Sequence, residues 1–127
     1  MPEAAQDVPQ GGTVDEAVSA VVTDYWTNAG DGSFDVAWEH LTDAYRQRVY
    51  QDNYRLFKED LRNPKLCSAD PKEITQLRGD ADESVLYTSV AVKRGTNCKK
   101  RTLEYEMRVI LGADGETWQI ADMTRPD

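Results

Sequence analysis

The apolar period of this chain changes once, and the change divides the molecule. Up to residue 62 apolar side chains recur every three or four positions; after Pro71 they recur every second position. A face built on one period does not hold together on the other element. Helices therefore come first and an antiparallel meander second, an α+β arrangement with the helices packed on a curved sheet of about four strands. Thr13-Val14-Asp15-Glu16 has the form of a capping box, with a hydroxyl at the cap and a carboxylate three residues on. Val14, Ala17, Val18, Val21, Val22 and Tyr25 follow at helical spacing, and Asn28-Ala29-Gly30-Asp31-Gly32 ends the helix. Ser33 caps a short second helix to Leu41, with Phe34, Ala37, Trp38 and Leu41 on one face. Thr42 caps a third helix over 43–50. A fourth is expected over 52–62, burying Tyr54, Phe57 and Leu61 and stopped by Asn63-Pro64.

Strands are expected over 73–78, 84–94, 102–111 and 116–124. They are joined by Gly79-Asp80-Ala81-Asp82, by Gly95-Thr96-Asn97, which is a hairpin signal, and by Gly112-Ala113-Asp114-Gly115. In the third strand Leu103, Tyr105, Met107, Val109 and Leu111 point one way, and Thr102, Glu104, Glu106 and Arg108 the other. One face is buried and one is wet, and the wet face disfavours a dry sheet-to-sheet dimer. Trp118 and Ile120 point inward from the last strand, and strict alternation puts Asp122 on the same side.

The core this pattern can build is lean. Leu, Ile, Val and Phe supply 24 of 127 residues, just under the roughly 20% below which a highly charged chain is suspected of disorder. Three Trp, six Tyr and three Met add apolar area. Such a core wants a staple, and Cys67 and Cys98, the only cysteines, offer one. With one His and no C-x-x-C, zinc binding is not expected, nor is any cofactor. If bridged, the pair closes a loop of ~30 residues, worth roughly 3–4 kcal/mol in the chain-entropy model. We expect that disulfide, with Cys67 in the loop before the first strand and Cys98 opening the third, and hence an oxidising compartment. The alternative is two free thiols in a reducing one.

The net charge of −8 is concentrated at one end: residues 1–45 hold nine acids and no base. Acidity on this scale argues against nucleic acid as a partner. No stretch approaches the ~20 apolar residues of a membrane span. Residues 1–12 read as a flexible leader or linker without the features of a signal peptide, and 13–127 as a single domain.

Asp24-Tyr25-Trp26, then Asn28-Ala29-Gly30-Asp31, then Ala37-Trp38-Glu39-His40-Leu41-Thr42-Asp43-Ala44-Tyr45, and finally Trp118-Gln119-Ile120-Ala121-Asp122 form a sequence of signatures. Together they resemble the nuclear transport factor 2-like superfamily, and within it the actinobacterial extracytoplasmic branch. The likeness covers about residues 13–124. It departs where the branch often carries Phe-Trp and this chain has Leu56-Phe57. The resemblance implies a cone of helices over a strongly curved sheet with a pocket between them. Its members include lipoproteins, ectodomains of membrane kinases, ketosteroid isomerases and polyketide cyclases.

Two functions follow as expectations. One is a non-catalytic binding or sensing domain outside the cytoplasm, a lipoprotein or an ectodomain tethered near a membrane. It would be a monomer or homodimer that takes a small hydrophobic ligand or a protein partner. Tyr25, Trp38, Tyr45, Tyr54, Tyr105, Met107 and Trp118 are the candidate pocket lining, although the same rings are also what a small core needs. The other is a ketosteroid isomerase-like or polyketide cyclase-like enzyme. It needs a carboxylate base in an apolar cavity, for which Asp122 is the candidate, with Tyr25 and Tyr45 as hydroxyl donors. His40 takes a polar slot and is read as surface. Lys93, Arg94, Lys99, Lys100 and Arg101 crowd the Gly95-Thr96-Asn97 turn. They are candidate contacts for an anionic head group or an acidic partner, or simply charges that guard a sheet edge.

Overall fold

The computed structural model describes residues 15–63 and 65–125. The expected leader, Thr13 of the capping box and Pro64 lie outside them. Four helices, α1 (Glu16–Asp31), α2 (Phe34–Glu39), α3 (Asp43–Tyr50) and α4 (Tyr54–Arg62), precede four strands, β1 (Leu66–Gly79), β2 (Glu83–Arg94), β3 (Lys99–Leu111) and β4 (Trp118–Thr124). The strands form one curved antiparallel sheet in the order β1-β2-β3-β4, an α+β fold.

Each helix begins or ends for a local reason. Asp15 caps α1 by accepting from the Ala17 amide at 2.8 Å, and Gly32 closes it in the left-handed region at φ 87°, where glycine carries no Cβ penalty. Thr42 caps α3 by accepting from the Tyr45 amide, and Asn53 caps α4 by accepting from the Arg55 amide. The buried positions of α1 are Val18, Val22, Tyr25, Trp26 and Ala29, one stripe facing the sheet. Ser33 precedes α2 without a side-chain capping bond.

The first strand is longer than its sequence predicts. It begins at Leu66, so Cys67 lies within it rather than in a preceding loop, and Pro71 is inside it as well. Proline is excluded from central strands because it lacks an N–H, but β1 is an edge strand and its ladder shifts register on the far side of Pro71. Two further shifts, between Leu66 and Ser68 and between Gln76 and Arg78, add to the bend. Cys67 and Cys98 form a disulfide with Cα atoms 5.8 Å apart, tying β1 to the β2–β3 turn. The opposite edge is also covered. The Ile120 amide of β4 donates to the His40 carbonyl at 2.7 Å, and the Thr42 amide donates to the Ile120 carbonyl at 3.0 Å. Leu41 thereby pairs in parallel with Ile120.

The last strand carries the main departure from alternation. Val109 pairs with Ile120, but Arg108 pairs with Asp122, which leaves Ala121 as an extra residue in β4. A bulge of this kind exchanges the faces of everything beyond it. Met123, opposite the buried Met107, takes the inward position that alternation assigns to Asp122.

Two tests follow from this packing. A Cβ on Gly30 of α1 would run into the backbone nitrogen of Ala69 in β1. Gly30→Ala is expected to cost about 1–3 kcal/mol in urea unfolding, and an unchanged midpoint would contradict the close approach. The Cys67→Ala/Cys98→Ala double variant is expected to lose roughly 3–4 kcal/mol, from reopening a loop of 31 residues. Thiol labelling of the native protein should find no free cysteine.

Candidate ligand-binding site

The helices do not close completely on the sheet. Between them lies an inner chamber of about 130 Å³, lined by Tyr25 and Trp26 from α1, Tyr45 and Tyr50 from α3, Asp60 and Leu61 from α4, and Val92, Arg94, Leu103, Tyr105 and Met123 from the sheet. Through Val92, Arg94, Leu103 and Tyr105 it adjoins an outer mouth of about 400 Å³, completed by Gly95, Lys99, Arg101 and Arg125. The chamber alone approaches the size of a cavity that holds one benzene ring, about 150 Å³. The mouth falls within the roughly 300–1,000 Å³ of small-molecule sites. A wider, open hollow of about 600 Å³ lies on another side, between Gly30, Phe34, Leu66 and Cys67. Among the described residues it has no comparable set of buried hydroxyls.

Local sequence explains why rings gather there. Tyr25 and Trp26 belong to the buried stripe of α1, and Tyr45 and Tyr50 are both buried in α3. Trp26 stands edge-on to Tyr25 at 5.0 Å and tilted against Tyr105 at 5.2 Å. Its indole Nε1 is buried and has no partner among the described residues. Such a donor is costly to leave unpaired. Tyr50 donates its hydroxyl to Asp60 Oδ2 at 2.9 Å, so the carboxylate in the wall already accepts from a neighbouring phenol, and Arg94 donates to the Asp60 backbone carbonyl at 3.3 Å.

The phenols are kept neutral. Burial pushes Tyr25 well above its ordinary value, with Tyr50 and Tyr45 adding to the shift. Burial and then the Asp122 charge raise Tyr45 to about 12, against the opposing effect of Arg48. Tyr50 is raised by burial and by Asp60. Tyr105 is raised by burial while Arg125 and Arg94 pull it back. The chamber therefore offers apolar ring faces and protonated hydroxyls, not a phenolate base.

The expected lining divides. Tyr25, Tyr45 and Tyr105 reach the chamber. Trp38 and Tyr54 belong instead to the helical layer, where Trp38 meets Phe57 at 5.2 Å and Tyr54 at 5.7 Å. The Arg46 guanidinium lies over Trp38 at 5.1 Å and donates to its carbonyl. Met107 is fully buried core opposite Leu86, and Trp118 lies half-buried opposite Leu111 at the other end of the ladder. Asp122, placed inward by strict alternation, is instead opposite Arg108 because of the bulge, and its Oδ1 accepts from Arg48 Nη2 at 3.0 Å. Arg48 also covers the Tyr45 ring at 5.5 Å and reaches the Ala121 carbonyl. His40 is half-buried and contributes its carbonyl to β4.

The basic tip also divides. Lys93 pairs with Lys100, and Arg94 with Lys99. Opposite residues of a ladder share a face, and successive ones alternate. Arg94, Lys99 and Arg101 consequently line the mouth, whereas Lys93 and Lys100 do not. Arg125 joins the mouth from beyond β4; no sequence pattern pointed to it. Extending the inward series of β3 backward from Tyr105 through Leu103 to Arg101 and Lys99 separates these two of the expected contacts from Lys100.

Buried neutral phenols make stability depend on alkaline pH. In the unfolded chain a phenol loses its proton near pH 10, whereas Tyr45 holds it to about 12 in the folded protein. The native state then binds more protons, so stability is complete below pH 10 and falls as pH rises above it. We expect a loss of up to about 1.4 kcal/mol per pH unit for each withheld phenol, read by urea unfolding alongside phenolate absorbance. Ionisation of every tyrosine near pH 10 with no loss of stability would contradict the burial. No protein-family model matches the chain, and no curated protein matches it either.

Proposed function

We propose that this chain is a non-catalytic binding domain that works outside the cytoplasm, as a lipoprotein or the ectodomain of a membrane protein, and that it holds a small, largely apolar molecule between helices and sheet. The observation that carries this reading is the chamber itself. Four phenols and an indole surround a cavity of about 130 Å³ that opens to a wider mouth, and the indole N–H is left without an acceptor among the described residues. Ring faces supply contact area, and a few fixed hydroxyls orient the guest. The arrangement fits a nuclear transport factor 2-like cone, the family that the sequence resembles.

The disulfide supports the location, since such bonds persist in oxidising compartments. No helix among the described residues is long and apolar enough to cross a membrane. An isomerase or cyclase would need an available carboxylate within the cavity. Asp122 is paired with Arg48 instead, and Asp60 already accepts from Tyr50, which favours binding over catalysis.

The neutral fluorophore N-phenyl-1-naphthylamine tests the reading. Saturable binding of one molecule per chain is expected. Leu103→Trp, which fills the junction of chamber and mouth, should weaken it at least about ten-fold, in the manner of a blocked pocket. Absence of saturable binding, or equal binding by the folded Leu103→Trp variant, would sink the proposal.

A further inference from the structure

The mouth of the cavity has a charge opposite to that of the protein. The chain as a whole is at −8, yet among the described residues the mouth is lined by Arg94, Lys99, Arg101 and Arg125, and by no acid. Behind this cationic ring the floor changes to Leu103 and Tyr105 and then to the phenols of the chamber. The two zones are stacked along one path, with cations outermost and rings innermost.

From this stacking we infer that the ligand is an anionic amphipath: a small organic acid whose ring or short alkyl body enters the chamber while its carboxylate, sulfonate or phosphate stays among Lys99, Arg101 and Arg125. The inference rests on the pocket reading above and adds the chemical class of the guest. Arginine and lysine recognise such head groups by charge-assisted hydrogen bonds. A mouth walled by protein strengthens their field relative to an open surface. The cations reach the cavity electrostatically, since Arg125 and Arg94 both act on the Tyr105 hydroxyl. The sheet supplies its own control. Lys93 and Lys100 belong to the same hairpin and carry the same charge, but their register places them off the mouth. A general attraction of anions to a basic tip would use all of these residues, whereas a site uses only those facing the cavity.

Two probes that differ by one sulfonate separate the possibilities: 1-anilinonaphthalene-8-sulfonate and the neutral N-phenyl-1-naphthylamine. At low salt the native protein is expected to bind the sulfonate at least about ten-fold more tightly than the neutral probe, with the advantage shrinking toward unity near ~0.5 M salt. Lys99→Gln/Arg101→Gln should remove about ten-fold of sulfonate affinity and leave the neutral probe within about two-fold, while Lys93→Gln/Lys100→Gln should leave both within about two-fold. Equal affinities for the two probes would overturn the anion inference and leave the pocket reading standing, provided Leu103→Trp still blocks the neutral probe. Equal losses in the two lysine-bearing variants, or retention on anionic phosphatidylglycerol vesicles that the Lys93→Gln/Lys100→Gln variant abolishes, would overturn it in favour of surface attraction. Failure of both probes to bind would overturn both readings together.

Discussion

Phe57 is where the four helices meet, and the helical layer depends on it. Its fully buried ring touches Tyr25 of α1, Trp38 of α2, Tyr50 of α3 and Tyr54 of α4, at centroid distances between 5.2 and 6.5 Å. Helices of six to sixteen residues are too short to be stable alone. They hold their positions because ring contacts tie each to the others, and because the close approach of Gly30 to Ala69 seats α1 against β1, the strand that the disulfide ties to the β2–β3 turn. An aliphatic core of the same residue count would have had less area to offer. Aromatic side chains bury more surface per position and meet at defined angles. The same substitution of rings for aliphatics leaves phenol hydroxyls inside the fold, and these give the chamber its chemical character. Core and site are two sides of one economy of composition.

The charge pattern acquires a spatial meaning in the fold. The described part of the acid-only first third forms α1, α2 and the start of α3, whereas bases concentrate at the β2–β3 turn. Strand alternation then sorts those bases into a pair away from the cavity and a set at its mouth. A net charge conceals this arrangement completely. Repulsion of anions over most of the surface, with attraction at one opening, narrows the approaches available to an acidic guest.

Much of this was legible in the residues. The change of period at Pro71 separates helices from strands, the caps at Thr42 and Gly32 fall where hydroxyl and glycine require, and the pairing of the two cysteines follows from their number and the lean core. What escaped did so for identifiable reasons. Pro71 hides the first half of β1, because whether a proline is tolerated depends on whether the strand has one neighbour or two, and order in a sheet is not a local property. Trp38 and Tyr54 share helical spacing with Tyr25 and Tyr45, but spacing does not say whether a ring turns toward another helix or toward the sheet. Arg125 lies past the last strand, where no period extends. Asp122 was misplaced by one residue of bulge, and a bulge is set by the partner strand and by the Arg48 contact to the Ala121 carbonyl.

That bulge separates two chemistries by one step of register. With Ala121 left out of the ladder, a thioether reaches the cavity and the neighbouring carboxylate is neutralised outside it by Arg48. Return Ala121 to the ladder opposite Arg108 and alternation runs on unbroken: Asp122 moves opposite Met107 to the inward side, and a charged oxygen stands among buried phenols and rings. A carboxylate so placed is the starting point of proton-transfer chemistry. On this scaffold a receptor and a general base differ by the register of the end of β4, with every residue kept. Divergence between binding and catalysis here would proceed through the loss or gain of a bulge rather than through replacement of side chains already in the pocket.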